Sequence, residues 1–74
     1  MTATEIVLYT SENCGLCDHA KDALAALGVS YREVMVADDH PHRLRTPVLE
    51  RRGRVVDEGQ ITVSSLRRAL RSSR

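Results

Sequence analysis

Cys14 and Cys17 are the two cysteines of this 74-residue chain, and only Gly15 and Leu16 separate them. Two thiols at that spacing can bond to each other, ligate a metal, or pass electrons by thiol–disulfide exchange. A disulfide stabilises partly by closing a loop, and a Cys-x-x-Cys loop is too short for much of that effect. A bond between these two is therefore better read as chemistry than as reinforcement. The attacking species in exchange is the thiolate. It is favoured at a helix N-terminus, where unpaired N–H groups and a partial positive charge converge.

The elements around the pair supply such a place. Ile6-Val7-Leu8-Tyr9 is an apolar run of strand length, followed by turn and cap residues at Ser11, Glu12 and Asn13. Leu16, Ala20, Ala23, Leu24 and Leu27 then recur at helical spacing, with Asp18, Lys21 and Asp22 on the other face. Gly28 stops that helix as a left-handed cap would. Cys14 thus falls at the helix start and Cys17 in its first turn, on nearly the same face, where it can resolve a mixed disulfide. Glu12 and Asp18 stand close by and oppose the activation, so only a moderate lowering of the Cys14 pKa is expected.

Beyond the helix, Val29 to Val36 is rich in strand-forming types. A polar stretch from Ala37 to Arg43, restrained by Pro41, leaves room for at most one helical turn before Thr46-Pro47. Residues 48–51 and 54–57 flank Arg52-Gly53 as a hairpin. Thr62 reads as the N-cap of a last helix, with Ile61 and Leu66 at staple spacing and Val63, Leu66 and Leu70 as its apolar stripe. The order predicts an α/β domain: a parallel strand–helix–strand unit, an antiparallel hairpin and a C-terminal helix on a four-stranded mixed sheet. The whole chain, 1–74, is expected to form one domain.

The run Leu8-Tyr9-Thr10-Ser11-Glu12-Asn13-Cys14-Gly15-Leu16-Cys17 resembles the active-site segment of glutaredoxins and their short bacterial relatives. Thr46-Pro47-Val48 resembles their second hallmark, a cis-proline loop against the disulfide, and X-Pro is the common site of a cis peptide. The resemblance implies a thioredoxin-like fold with a shortened middle helix, Cys14 as nucleophile and Cys17 as resolving thiol. It implies substrate binding at Thr46, Pro47 and Tyr9, with the Thr46 backbone as dock. On its own chemistry Tyr9 reads as a strand-end packing residue, because its pKa lies far above working pH.

The chain also departs from that pattern. Gly15 replaces the proline usual between the cysteines. Of the Gly-Gly pair and aspartate that bind glutathione, only Gly59 matches, and Glu12 stands where a basic residue would meet glutathione carboxylates. The implied partners are protein or low-molecular-weight disulfides and a thiol reductant, either thioredoxin reductase or a small thiol. No cofactor is implied.

Composition narrows the alternatives. Residues 1–38 carry two basic and six acidic side chains, net −4, and residues 39–74 carry nine arginines and four acids, net +5. With two tyrosines, no Trp and no Phe, stacking platforms for single strands are scarce, and the arginines read as a solvated face rather than a nucleic-acid site. No apolar run is long enough to cross a membrane and no leader opens the chain, so a cytoplasmic monomer in a reducing compartment is expected. A zinc set of Cys14, Cys17, His40 and His42, with His19 as a spare, has unusual His spacing; the histidines read as mostly exposed loop residues, with no metal bound. The third reading is a non-catalytic thioredoxin-like scaffold that binds a partner.

Overall fold

Ile6, Leu8 and Thr10 alternate with Val7 and Tyr9, and that alternation sets the two faces of the sheet. The computed structural model describes residues 6–37, 39–42 and 45–72; Arg43, named above, lies outside them. The elements are β1 (Ile6–Thr10), α1 (Gly15–Ala26), β2 (Arg32–Met35), β3 (Val48–Arg51), β4 (Arg54–Glu58) and α2 (Val63–Ser72). The strands form one sheet in the order β2-β1-β3-β4. β1 pairs with β2 in parallel and with β3 antiparallel, and β3 with β4 is an antiparallel hairpin. The mixed α/β architecture is the one expected.

Both helices contribute to a core against one face of the sheet. Leu8, Leu24, Leu49, Ile61 and Leu66 are its large buried side chains. Each such burial is worth about 1.5–3 kcal/mol, which a domain this small cannot spare. The hairpin turns on Arg52 (φ 56°) and Gly53 (φ 80°), both left-handed, as a two-residue turn matching the strand twist requires. The pairing slips between Leu49 and Glu50, leaving one extra residue in β4. That bulge lets Val56 pack on the core while Asp57 still pairs with Leu49.

α2 is capped as expected. The Ser65 amide donates to Thr62 Oγ1 (3.1 Å) and the Thr62 amide to Ser65 Oγ (2.9 Å), a reciprocal box with serine in the usual glutamate role. Such a cap contributes about 1 kcal/mol. At the other helix, Gly28 (φ 68°) donates to the Ala25 carbonyl and Val29 to the Leu24 carbonyl. These two bonds define a Schellman stop.

Two details differ from the sequence reading, and a third, the shortened middle helix, follows it. β2 begins at Arg32 rather than Val29, because the Val29 amide closes α1 and Val29 and Tyr31 pack on the core before pairing starts. Leu16 is 43 % exposed rather than part of the buried stripe; Cys17, at 2 %, takes the inward phase. The middle helix is shortened to turns: the His40 amide bonds the Ala37 carbonyl and the Arg45 amide the His42 carbonyl. Among the described residues, no helix stands between β2 and β3.

Candidate functional site

The chain leaves β1 through Ser11-Glu12-Asn13, and Asn13 takes a left-handed backbone (φ 55°) that turns it into α1. The residue that caps α1 is Cys14 itself. Its Sγ accepts the Cys17 amide at 3.1 Å, so a cysteine sulfur occupies the position a cap oxygen usually fills. The Cys14–Cys17 disulfide is formed, with the Cα atoms 5.2 Å apart. Cys14 is partly exposed and Cys17 is buried, so only the first is open to attack by a bulky partner. When the bond is reduced, the amide and the helix terminus both favour charge on Cys14.

β3 is preceded by the Thr46–Pro47 peptide, which is cis. Tyr9 pairs with Val48, so antiparallel register carries Pro47 and Thr46 alongside Thr10 and Ser11. The Ser11 and Thr46 hydroxyls lie 2.7 Å apart and join the two loops. The Gly59 amide donates to the Pro47 carbonyl (2.9 Å), and Arg45 Nη2 meets Glu58 Oε1 at 2.6 Å. Thr46 and Pro47 are thereby held beside the residues that lead into the pair. Sequence reasoning overlooked Ser11, whose part depends on a long-range register.

A recess of about 470 Å3 next to the disulfide is lined by Thr10, Cys14, Cys17, Lys21 and Met35 among others. Lys21, one turn after Cys17, pairs with Glu33 at 3.0 Å, and Thr10 Oγ1 donates to the same Glu33 oxygen at 2.9 Å. The hydrogen bond from Lys21 holds the Glu33 carboxyl below its ordinary range, and the one from Thr10 adds to it. A carboxyl with a lowered folded pKa stabilises above its unfolded pKa and loses that contribution as pH falls through the folded value. The melting difference between the wild type and Glu33→Gln is expected to be small at neutral pH. It should close as the buffer is taken below the usual carboxylate range; a gap that widens on acidification would contradict the assignment.

Tyr9 points to the opposite sheet face. Its Oη donates to Glu50 at 3.2 Å, and burial together with the Glu50 charge raises its pKa. The His40 and His42 rings lie 5.7 and 5.0 Å from the Tyr9 ring, and His42 Nε2 is 3.5 Å from Glu50. Of the three histidines expected as mostly exposed loop residues, His19 is exposed but lies in α1, while His40 and His42 are loop residues that are partly buried, the His42 side chain 18 % exposed. With no middle helix between β2 and β3 among the described residues, the two rings fill part of the space above Tyr9. The four residues of the hypothetical zinc set are divided: the cysteines bond each other and the histidines pack around Tyr9. Among the described residues, no group of three or more His, Cys, Asp or Glu is arranged to hold a metal ion.

Residues 6–63 match the family model for glutaredoxin. The chain belongs to the glutaredoxin family. An X-ray structure of the Northeast Structural Genomics target protein XcR50 from X. campestris is similar, at 32 % identity and a TM-score of 0.80. That match covers 93 % of this chain and 99 % of the other. The crystal structure of the holo form of glutaredoxin C1 from populus tremula x tremuloides shares the fold, with 17 % identity and a TM-score of 0.61 over 96 % of this chain and 78 % of that one. No curated protein matches the chain. The glutaredoxin model ends at Val63, so the redox pair, the cis-proline loop and the cap residue Thr62 lie within it. No described helix of this family member is long and apolar enough to cross a membrane.

Proposed function

We propose that this glutaredoxin-family protein is a dithiol thiol–disulfide oxidoreductase working through Cys14 and Cys17. The observation that carries the reading is the cysteine pair itself, bonded across the first turn of α1 with Cys14 sulfur accepting a helix-terminal amide. In the reduced protein the Cys14 thiolate attacks one sulfur of a substrate disulfide, forming a mixed disulfide and releasing the other half as thiolate. Cys17 gives up its proton and attacks Cys14 Sγ, which releases the second half and closes the Cys14–Cys17 bond. Two electrons pass from the protein to the substrate, and a thiol reductant returns them.

Thr46 and Pro47 form the dock in this reading: the Thr46 backbone adds an extended substrate as a strand next to the disulfide. Tyr9, at the end of β1, supports that surface from the far side of the sheet. Substrates are protein or low-molecular-weight disulfides, and the protein acts as a cytoplasmic monomer. Glu12 near the pair disfavours the anionic glutathione, so thioredoxin reductase is the favoured electron donor over a small thiol.

The test is to oxidise the protein and follow return of its two thiols. Dithiothreitol should reduce it fully, and the reduced form should then reduce insulin disulfides. Supplying thioredoxin reductase with NADPH should sustain turnover better than glutathione does. A disulfide that resists dithiothreitol, or a reduced protein inert towards insulin and small disulfides alike, would overturn the proposal.

A further inference from the structure

A groove of about 450 Å3 runs along α1 to the start of α2. Leu16, Ala23 and Ala26 form one wall, Ile61 and Val63 belong to the other, and Asp22 contributes a carboxylate. The alanines are what keep it open, since longer side chains there would fill it. Neither cysteine lines it, but its first wall residue, Leu16, lies between them in the chain, so that end of the groove is next to the redox pair. Three large apolar side chains are exposed among the described residues, and two of them, Leu16 and Met35 (59 %), flank that pair. Exposed apolar groups gathered at one place mark a contact surface.

Charge and length narrow the occupant. Asp22 is exposed on the same wall as His19 and makes no ion pair among the described residues, so the groove offers a free carboxylate to a cation; Glu12, likewise unpaired, lines the neighbouring recess with Cys14. From Leu16 to Ala26 the helix rises about 15 Å, the reach of four or five extended residues. Glutathione offers two carboxylates and no apolar side chain, the reverse of what this surface complements. We propose that the groove binds the polypeptide next to the reacting cysteine of a protein disulfide, taking an apolar side chain three to five residues away and a basic one beside Asp22. The inference rests on the disulfide-exchange reading and specifies its substrate class.

Peptides carrying one cysteine, joined through it to 2-thiopyridine, provide the test. Attack of the Cys14 thiolate on the peptide sulfur forms the mixed disulfide and releases thiopyridone, which is read by absorbance. Three peptides differ only at the fourth and fifth residues after cysteine: Leu-Arg, Ser-Arg and Leu-Glu. At low salt the reduced wild-type protein should react about tenfold faster with Leu-Arg than with Ser-Arg, and more slowly with Leu-Glu than with Leu-Arg. Ala26→Trp, checked by circular dichroism, should bring the Leu-Arg and Ser-Arg rates to within about twofold of each other. Equal rates for those two peptides with the wild-type protein would overturn the groove assignment while leaving disulfide exchange intact. Failure to react with 2,2′-dithiodipyridine as well would instead remove the exchange reading on which the assignment rests.

Discussion

Replacing Cys14 by serine is expected to lower disulfide exchange by about 10³-fold or more, because of the two thiols it removes the one open to an incoming substrate. Serine keeps a cap oxygen for the Cys17 amide, so α1 should persist and the loss will be chemical rather than structural. Cys17→Ser is the informative partner. That variant retains the nucleophile but cannot resolve, so it should accumulate a Cys14–substrate mixed disulfide visible as added mass. Stopped-flow rates and intact mass after acid quench check both variants. Exchange by Cys14→Ser at a wild-type rate, or trapping through Cys17 instead, would reverse the roles assigned to the two thiols.

Leu66→Ala is expected to cost about 2–5 kcal/mol of folding stability, the range for removing a fully buried leucine and leaving a cavity. Leu66 joins three parts of the molecule. It is fully buried in the core, occupies the fourth helical position after the Thr62 cap, and packs in the cluster that contains Ile61, Leu8 and Leu24. A domain this size has about 5–15 kcal/mol in total at the favourable end of expectation, and each kcal/mol lost lowers the melting midpoint by about 4–8 °C. Thermal and urea melts of the variant should therefore shift steeply. A midpoint within 2 °C of the wild type would show that α2 is not held by this contact.

Local rules were enough for most elements. The Arg52-Gly53 turn, the Thr62 cap with its Ile61–Leu66 staple and the Gly28 stop each depend on neighbours in sequence, and each is where the residue types placed it. The cysteine pair was legible for the same reason: its address at a strand–helix junction follows from two adjacent periodicities. What failed to show was set by distant chain. Leu16 looked like a core position because helical spacing alone does not fix which way the helix faces; here Cys17 points inward. The Ser11–Thr46 contact joins residues 35 apart and requires the β1–β3 register. The short polar stretch from Ala37 to Arg43 foretold the shortened middle helix, but nothing in it announces that His42 packs on Tyr9, because that depends on which sheet face the connection crosses.

The pole-to-pole distribution of charge has a dynamic consequence. β1 runs towards the disulfide and β3 away from it, so Arg51, Arg52 and Arg54 sit at the opposite end of the sheet. Arg51 Nη1 bonds the Leu70 carbonyl there and brings in the last turn of α2 with Arg71. Glu12 and Asp18 remain at the cysteine end. A body nearly neutral as a whole but polarised along its axis feels a torque, rather than a net pull, in another molecule's field. Before any contact forms it is rotated so that the disulfide leads towards a cationic partner. Fewer random collisions are then wasted on the arginine pole, and salt screens that alignment at separations beyond a Debye length, about 8–10 Å at 0.1–0.15 M ionic strength.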